Sequence, residues 1–303
     1  MSSFALAPTV ARPEAAAAVS RDVPRADAAP TIGIALGGGG ANGLAHISML
    51  EVIDEMGIEL HRVAGTSIGA IIGALYASGM SGADIRALVE GFILSSGDNV
   101  LERIVSEDAL RWVDFIEVEL GHGGLLSADG FLSFMYEKLH EQRFEALAIP
   151  LKVTAADLWS REPVVLESGD LLSAIKASMA LPGVFEPVEL DGRVLVDGGT
   201  VNPVPYDLLM DDCDIVIAID VTGERTRPES GETGYFETLF NSVKVMQAAI
   251  MQEKLRQRAP DIYLSPPIVD VRALEFYRAE EVFRQAEPTR RELKQRLSSL
   301  LAA

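Results

Sequence analysis

The sequence predicts an α/β fold in which helices cover both faces of a mostly parallel central sheet. Two consecutive units of strand, glycine-rich turn and helix occupy residues 31–77, an alternation that is typical of parallel strands connected by helices. A third observation is the uninterrupted apolar run at 215–221, which indicates a strand buried on both faces. With 48% hydrophobic and 23% charged residues among 303, the chain has the composition of a globular protein.

Apolar periodicity and the positions of glycine and proline place the individual elements. The predicted strands lie at 31–36, 61–64, 151–155, 164–166, 194–196 and 215–221. The predicted helices lie at 44–56, 70–77, 81–94, 107–118, 129–141, 170–178, 204–210, 235–258 and 276–301. Because neither an internal repeat nor a linker follows residue 30, we expect one domain at 31–303. Its core would span 31–221, and its C-terminal helical part would span 235–301.

Residues 1–30 are rich in alanine and interrupted by prolines, which predicts a flexible tail. They lack the apolar run of a secretory signal, and no apolar stretch reaches the length of a transmembrane helix. We therefore expect a cytoplasmic protein, and transient contact with the surface of the inner membrane is compatible with that location.

The chain carries 45 Asp and Glu against 26 Lys and Arg, a net charge of −19. This charge argues against a nucleic-acid partner, because phosphate binding needs a positive field. The acid is concentrated in residues 1–240, and residues 241–303 hold a small basic excess. The single cysteine, Cys213, excludes a disulfide framework, and the four histidines are too far apart for a local metal-binding motif. No metal or other cofactor is predicted.

The first candidate for chemistry is the pentapeptide Gly65-Thr-Ser-Ile-Gly69, which lies between a predicted strand and a predicted helix. A nucleophilic serine needs such a tight turn, because the turn projects its hydroxyl from the end of the sheet. The N-terminus of the following helix favours the negative charge that develops there. Ser67 is therefore either a nucleophile or part of an ordinary structural turn.

The second candidate is the loop Gly37-Gly-Gly-Gly-Ala-Asn-Gly43, whose backbone N–H groups would suit an anion. A P-loop is excluded, because no Gly-Lys-Ser/Thr sequence follows. The spacing of Gly38, Gly40 and Gly43 matches a dinucleotide fingerprint, but the next strand runs into the Ser67 turn and not into an acidic residue. An oxyanion hole beside Ser67 is the third reading. A nucleotide- or phosphate-binding regulatory protein remains the alternative function.

Two candidates exist for the general base. No histidine lies in the second half of the chain, so an acid–histidine pair would have to lie earlier, for instance Asp114 with His122. The other candidate is Asp197, which precedes Gly198 and Gly199 at the end of a predicted strand, where open α/β sheets bind ligands. A carboxylate deprotonates serine only if its pKa is raised. The local pattern alone slightly favours an ordinary Asp-Gly turn.

Together these segments resemble the patatin-like phospholipase family, in particular its short bacterial members. The resemblance rests on four blocks in order, from about residue 31 to 221: the glycine loop, the serine pentapeptide, Ala177-Ser-Met-Ala-Leu-Pro-Gly-Val-Phe-Glu-Pro-Val188, and the Asp197 turn with Asn202-Pro-Val-Pro205. The glycines that support these motifs are Gly43, Gly65, Gly69, Gly198 and Gly199.

The resemblance implies a three-layer α/β/α fold and a Ser–Asp dyad without histidine. Ser67 would be the nucleophile, Asp197 the general base, and the amides of Gly38, Gly39 and Gly40 the oxyanion hole. The family hydrolyses acyl esters of lipids through an acyl-enzyme and without calcium. A lipid or another acyl ester is therefore the expected substrate.

One position departs from the family pattern, because Asn42 stands where the glycine loop usually carries Arg or Lys. If that cation helps to hold a lipid phosphate or the loop itself, a preference for less anionic esters follows; hydrolysis of a neutral monoacyl ester against that of an anionic lysophospholipid tests this hypothesis. Residues 92–126 could form a lid but are expected to complete the core. The methionine-rich helix at 236–258 is likewise expected to pack in the core, with a membrane or partner contact as the alternative. His46 and Cys213 are predicted to be structural.

Overall fold

A computed structural model describes residues 29–99, 124–139, 141–224, 226 and 235–302. Its strands are β1 (Ile32–Leu36), β2 (Leu60–Thr66), β3 (Leu151–Asp157), β4 (Pro163–Leu166), β5 (Val188–Leu190), β6 (Arg193–Asp197), β7 (Ile215–Ile219) and β8 (Ile262–Leu264). They form one sheet in the order β5-β6-β3-β2-β1-β7-β8, with β4 paired to β3. Of the sequence predictions, the tail up to residue 28, the helix at 107–118, and Asp114 with His122 lie outside the described residues.

The centre of the sheet is parallel and one side of it is antiparallel. Strands β3, β2, β1, β7 and β8 pair in parallel, whereas β4 and β6 run antiparallel to β3, and β5 runs antiparallel to β6. The six predicted strands and the mostly parallel sheet are confirmed. Strands β5 and β8 were not predicted, because three residues are too few for an apolar periodicity to show.

Helices pack on both faces of the sheet. They are α1 (Ala45–Glu55), α2 (Ile68–Ala77), α3 (Gly82–Asn99), α4 (Gly124–Glu137), α5 (Leu171–Ser178), α6 (Tyr235–Gln257) and α7 (Ala279–Leu301). Alternate residues of β1 point to opposite faces: Ile34 and Leu36 join the larger apolar cluster with α1, α2 and α7, and Ala35 joins a smaller one with Met251 of α6. The described helices include none that is both long and apolar enough to cross a membrane.

The helix predicted at 204–210 is wrong. Only a single 3₁₀ turn forms there, at Tyr206–Leu208. The reason is local: Pro205 disfavours the helical conformation of the residue before it. The acidic run that follows, Asp211 and Asp212, also opposes the negative end of a helix dipole.

Strands β2 and β6 pair with successive parts of strand β3, so that their ends meet there. Thr66, the last residue of β2, pairs with Thr154, and Asp197, the last residue of β6, pairs with the next residue of β3, Ala155. Because β2 is parallel to β3 and β6 is antiparallel, the carboxyl ends of β2 and β6 point towards each other. This arrangement brings Ser67 and Asp197 together.

Candidate active site

Ser67 lies in a strained turn between β2 and α2. Its φ of 55° is in the left-handed region, which residues other than glycine rarely adopt. The turn also needs its two glycines, because a Cβ on Gly65 would lie 2.6 Å from the Ala70 backbone and one on Gly69 would lie 2.1 Å from the Leu36 carbonyl oxygen. The sequence prediction of a tight strand-to-helix turn that presents Ser67 is therefore confirmed in its geometry.

A buried hydroxyl holds the backbone of this turn. The N–H of Ser67 donates to Ser178 Oγ at 2.8 Å, and Ser178 Oγ donates to the Thr154 carbonyl oxygen at 2.6 Å. The hydroxyl thus bridges the two strands at the point where the β2–β3 ladder ends. Because its N–H is engaged in this way, Ser67 does not offer its own amide to an oxyanion.

Asp197 is buried at the end of β6 and faces the nucleophile. Its carboxylate accepts a hydrogen bond from the Gly199 N–H, at 2.7 Å to Oδ1, and it lines the same pocket as Ser67. Burial raises the pKa of Asp197 from 3.8 to about 6, because the charged form loses its hydration, and the nearby Ser67 side chain and the Gly199 N–H offset only part of that effect. A carboxylate with this pKa is ionised at neutral pH and remains basic enough to accept a proton.

The glycine loop lies over Ser67. A Cβ on Gly38 would lie 3.3 Å from the Ser67 Cβ, so the loop backbone borders the nucleophile directly. The N–H of Gly38 donates to the Pro203 carbonyl oxygen at 3.0 Å. Among the described residues, the N–H groups of Gly39 and Gly40 have no such acceptor, and both glycines line the pocket that contains Ser67.

One pocket contains the serine, the aspartate and the glycine loop. Apolar side chains form most of its wall: Leu132, Met179, Leu181, Phe185, Phe240, Val243, Leu274 and Phe276. The side chains of Thr222, Lys244 and Gln247 also line it. A long apolar wall that ends at a few polar groups suits an acyl chain whose ester lies at Ser67.

Two side chains of helix α6 donate hydrogen bonds to the segment that follows Asp197. Gln247 Nε2 donates to the Gly199 carbonyl oxygen at 3.1 Å. Lys254 Nζ, mostly buried, donates to Asn202 Oδ1, to the Val204 carbonyl oxygen at 2.9 Å, and to Asp207 Oδ1 at 2.5 Å. Burial lowers the pKa of Lys254, although the nearby carboxylate opposes that change.

This network reaches the nucleophile, because the carbonyl oxygen of Asn202 accepts a hydrogen bond from Thr66 Oγ1 at 2.9 Å. Sequence reasoning missed Gln247 and Lys254, since helical periodicity identifies a face but not its contacts. Ser178 was also missed as a functional residue. The signal that could have found it is its place in the 177–188 block.

The remaining residues singled out in the sequence lie outside the pocket lining. His46 is fully buried and its Nε2 donates to the Gly37 carbonyl oxygen at 2.8 Å. Burial lowers the pKa of His46 to about 4, so it is neutral at pH 7 and structural, as predicted. Gly43 packs against Ile68, where a Cβ would meet that side chain at 2.2 Å. Cys213 is half-buried beside the smaller apolar cluster.

Asn42 is turned away from the pocket. Its side chain is buried, and Nδ2 donates to the Thr222 carbonyl oxygen at 3.3 Å. Position 42 therefore contacts the loop after β7, and its side chain does not touch the space where a substrate would lie. Of the two roles considered for position 42, its placement agrees with holding the loop and not with contacting a lipid phosphate; the substrate preference stays a prediction.

Within the part of the chain that the structure describes, no cluster of three or more His, Cys, Asp or Glu residues could hold a metal ion.

A sequence model described as patatin-like phospholipase matches residues 34–210, more than half of the chain. The chain belongs to the patatin-like phospholipase family. The matched segment includes the glycine loop, Ser67, Ser178 and Asp197.

Named relatives in this family are longer than the chain. It is 31% identical over 205 residues to an uncharacterized NTE family protein of Mycobacterium tuberculosis, which covers 67% of the chain and 52% of that protein. It is 27% identical over 275 residues to lysophospholipase NTE1 of Saccharomyces cerevisiae, which covers 83% of the chain and 16% of that protein. The crystal structure of VipD from Legionella pneumophila matches with a TM-score of 0.47 and 16% identity, over 87% of the chain and 67% of VipD. The chain thus spans about half the length of the mycobacterial relative.

In this patatin-like domain, replacing Ser178 with alanine is expected to lower kcat about tenfold or more and to change KM little. The variant leaves the Ser67 N–H and the Thr154 carbonyl without a partner in the interior, which also costs about 1–3 kcal/mol in the free energy of unfolding. Ester hydrolysis and thermal unfolding measure the two effects. Ser173→Ala, on the same helix but without a side-chain bond to the turn, is the matched control. Wild-type kcat in Ser178→Ala would show that the turn does not depend on this bridge.

Proposed function

We propose that the chain is a serine acyl hydrolase of lipid esters, of the phospholipase A or lysophospholipase type. The observation that supports this function best is that Ser67 and the buried Asp197 carboxylate line one apolar pocket, where the carboxyl ends of β2 and β6 meet on β3. Membership of the patatin-like phospholipase family and the name lysophospholipase carried by the yeast relative agree with it.

The proposed reaction has two stages. Asp197 accepts the proton of Ser67 as Oγ attacks the ester carbonyl, and the developing oxyanion binds the amides of Gly39 and Gly40. The Gly38 amide can join them only by releasing Pro203. Collapse of the tetrahedral intermediate breaks the ester bond, and the protonated Asp197 gives its proton to the departing alcohol. Asp197 then takes a proton from water as that water attacks the acyl-enzyme carbonyl. Collapse of the second tetrahedral intermediate breaks the bond to Ser67 Oγ, which takes the proton back from Asp197, so the fatty acid leaves and the free enzyme is restored.

No histidine is needed in this scheme, because burial alone gives Asp197 the basicity of a general base. His46 is excluded from that role, since its ring donates to Gly37 and does not line the pocket. The dyad also needs no metal, so hydrolysis is expected to be independent of calcium.

The pH dependence of hydrolysis follows from the pKa of Asp197. Only the ionised carboxylate accepts the serine proton, so kcat/KM should be constant above about pH 7 and fall about tenfold per pH unit below about 6. Initial rates on an uncharged short-chain ester between pH 4 and 8 test this, because the substrate itself does not titrate. A rate that stays constant down to pH 4 would contradict a raised pKa at the base.

Incubation with a lipid extract tests the function itself. The purified chain, in the presence of EDTA, is expected to release fatty acid from mono- or diacyl lipids, and mass spectrometry identifies the lipid consumed. Ser67→Ala is the control for contaminating hydrolases. Absence of any released fatty acid, together with binding of a nucleotide to the glycine loop, would favour the regulatory alternative.

A further inference from the structure

The outward face of α6 exposes large apolar side chains next to the small polar side chains of Thr238 and Ser242. Leu239, Val245 and Met246 are large apolar side chains on this face, with Val245 69% and Met246 57% exposed. The small residues Ala248 and Ala249 continue the same surface. The sequence prediction that this helix packs in the core is therefore right for Met251, which is buried, and wrong for the outward side.

This face is also uncharged in an acidic protein. Residues 238–252 contain one ionisable side chain, Lys244, and no Asp or Glu, although the whole chain carries a net charge of −19. Lys244 lies on the side of α6 that lines the pocket. The exposed side chains between 238 and 249 are thus free of charge, which removes the desolvation penalty that a charged surface would meet in an apolar phase.

The two sides of α6 connect this surface to the candidate active site. Phe240, Val243 and Gln247 line the pocket that contains Ser67, and they alternate along the helix with the exposed residues. An apolar phase that touches the outward face of α6 would therefore lie within one helix diameter, about 10 Å, of the pocket wall.

A second exposed apolar point lies at the same edge of the sheet as the nucleophile. Trp159, 76% exposed, and Leu158 form the turn between β3 and β4. Strand β3 ends at Asp157, three residues beyond the position of Thr154 opposite Thr66, so this turn extends about 10 Å past the end of β2. Exposed tryptophan is typical of protein surfaces at a membrane–water interface.

We propose that the outward face of α6, with the Trp159 turn as a second contact, rests on a zwitterionic lipid surface and delivers single lipids to the pocket. The proposal rests on the proposed function, since a lipid hydrolase must take its substrate from such a phase. An anionic bilayer would repel the acidic remainder of the chain. A second copy of the chain is disfavoured by size: the face is about 16 Å long and 10 Å wide, far below the roughly 800 Å² per partner of a stable dimer.

Vesicle sedimentation tests this surface. The wild-type chain is expected to sediment with phosphatidylcholine vesicles and more weakly with phosphatidylglycerol vesicles. The pair Val245→Asp and Met246→Asp should reduce partitioning onto phosphatidylcholine at least tenfold and leave kcat/KM on a soluble short-chain ester within twofold. The charge-free pair Val245→Ser and Met246→Gln should give an intermediate loss. Leu300→Asp with Leu301→Asp, at the exposed end of α7, is the matched control and should bind as wild type does.

Tryptophan fluorescence gives an independent readout. The chain has two tryptophans, so Trp112→Phe leaves Trp159 as the reporter, and its emission should shift to the blue on addition of phosphatidylcholine vesicles. If the variant with both Val245→Asp and Met246→Asp bound phosphatidylcholine vesicles as strongly as the wild-type chain does, the proposal would be overturned. It would also be overturned if the wild-type chain did not bind vesicles. If the Val245→Asp and Met246→Asp variant differed from the wild-type chain in molar mass by light scattering but bound vesicles equally well, the face would be assigned to self-association instead. If the wild-type chain did not hydrolyse the soluble ester at all, the proposed function would be refuted; this assay is separate from the measurement of vesicle binding.

Discussion

Replacing Ser67 with alanine is expected to reduce ester hydrolysis by at least about a thousandfold and to leave the fold intact. The hydroxyl supplies the attacking oxygen, and the other hydroxyl that lines the pocket, Thr222 Oγ1, is held by Asp220 at 2.6 Å. The hydrogen bond of the Ser67 backbone to Ser178 does not involve the side chain and is retained. Steady-state rates on a short-chain ester and thermal unfolding of the same preparation measure the two halves of this expectation.

Ser48→Ala is a suitable control, since Ser48 is also buried but lies on α1, away from the pocket lining. It should keep its activity, whatever small change in stability follows from losing its bond to Arg86. If Ser67→Ala retained more than a few per cent of the wild-type rate, a different nucleophile or a metal-independent water attack would have to be considered in place of the acyl-enzyme.

Replacing Asp197 with asparagine is expected to abolish hydrolysis and to stabilise the protein at neutral pH. Asparagine still accepts the Gly199 N–H but cannot take the serine proton. In the wild type, the pKa of Asp197 rises from 3.8 to about 6 on folding, so its ionisation opposes the folded state. This penalty is absent below pH 4, grows between pH 4 and 6, and is complete above pH 6 at up to about 3 kcal/mol.

Chemical unfolding at several pH values measures the effect on stability. The advantage of Asp197→Asn over wild type should be absent at pH 4 and largest at pH 7. Asp157→Asn, at an exposed turn where hydrogen bonds lower the pKa of the carboxyl, is the matched control and should show no such gain. A variant that is inactive and equally destabilised at all pH values would indicate that Asp197 acts through structure and not as a buried base.

The local part of the site could be predicted from the sequence, because it depends on neighbours in the chain. Glycines at positions 65 and 69 around Ser67, between an apolar strand and an apolar helix, determine the tight turn that the structure contains. The glycine loop before α1 was predicted on the same basis. These features follow from backbone geometry within a few residues, so a periodicity and a few glycines are enough to find them.

The remainder depends on contacts between segments that are distant in the chain. That β6 runs antiparallel to β3, and so ends against β2, has no signal in either strand, and Asp197 could be assigned as the base only through the resemblance. Ser178 lies in the 177–188 block that carries the family resemblance. Its role, in which the hydroxyl joins Ser67 to Thr154 where β2 ends and β6 begins to pair with β3, depends on the sheet topology and could not be seen in that block. For the same reason, the apolar spacing of α6 could not show which of its faces is covered.

The dyad is tested most directly by the site of covalent modification. A fluorophosphonate probe reacts with an activated serine and mimics the first tetrahedral intermediate. Intact-mass and peptide mass spectrometry should find one adduct per chain, on Ser67, with none in Ser67→Ala and much slower formation in Asp197→Asn. An adduct on another residue, or no adduct in a preparation that hydrolyses esters, would contradict the account.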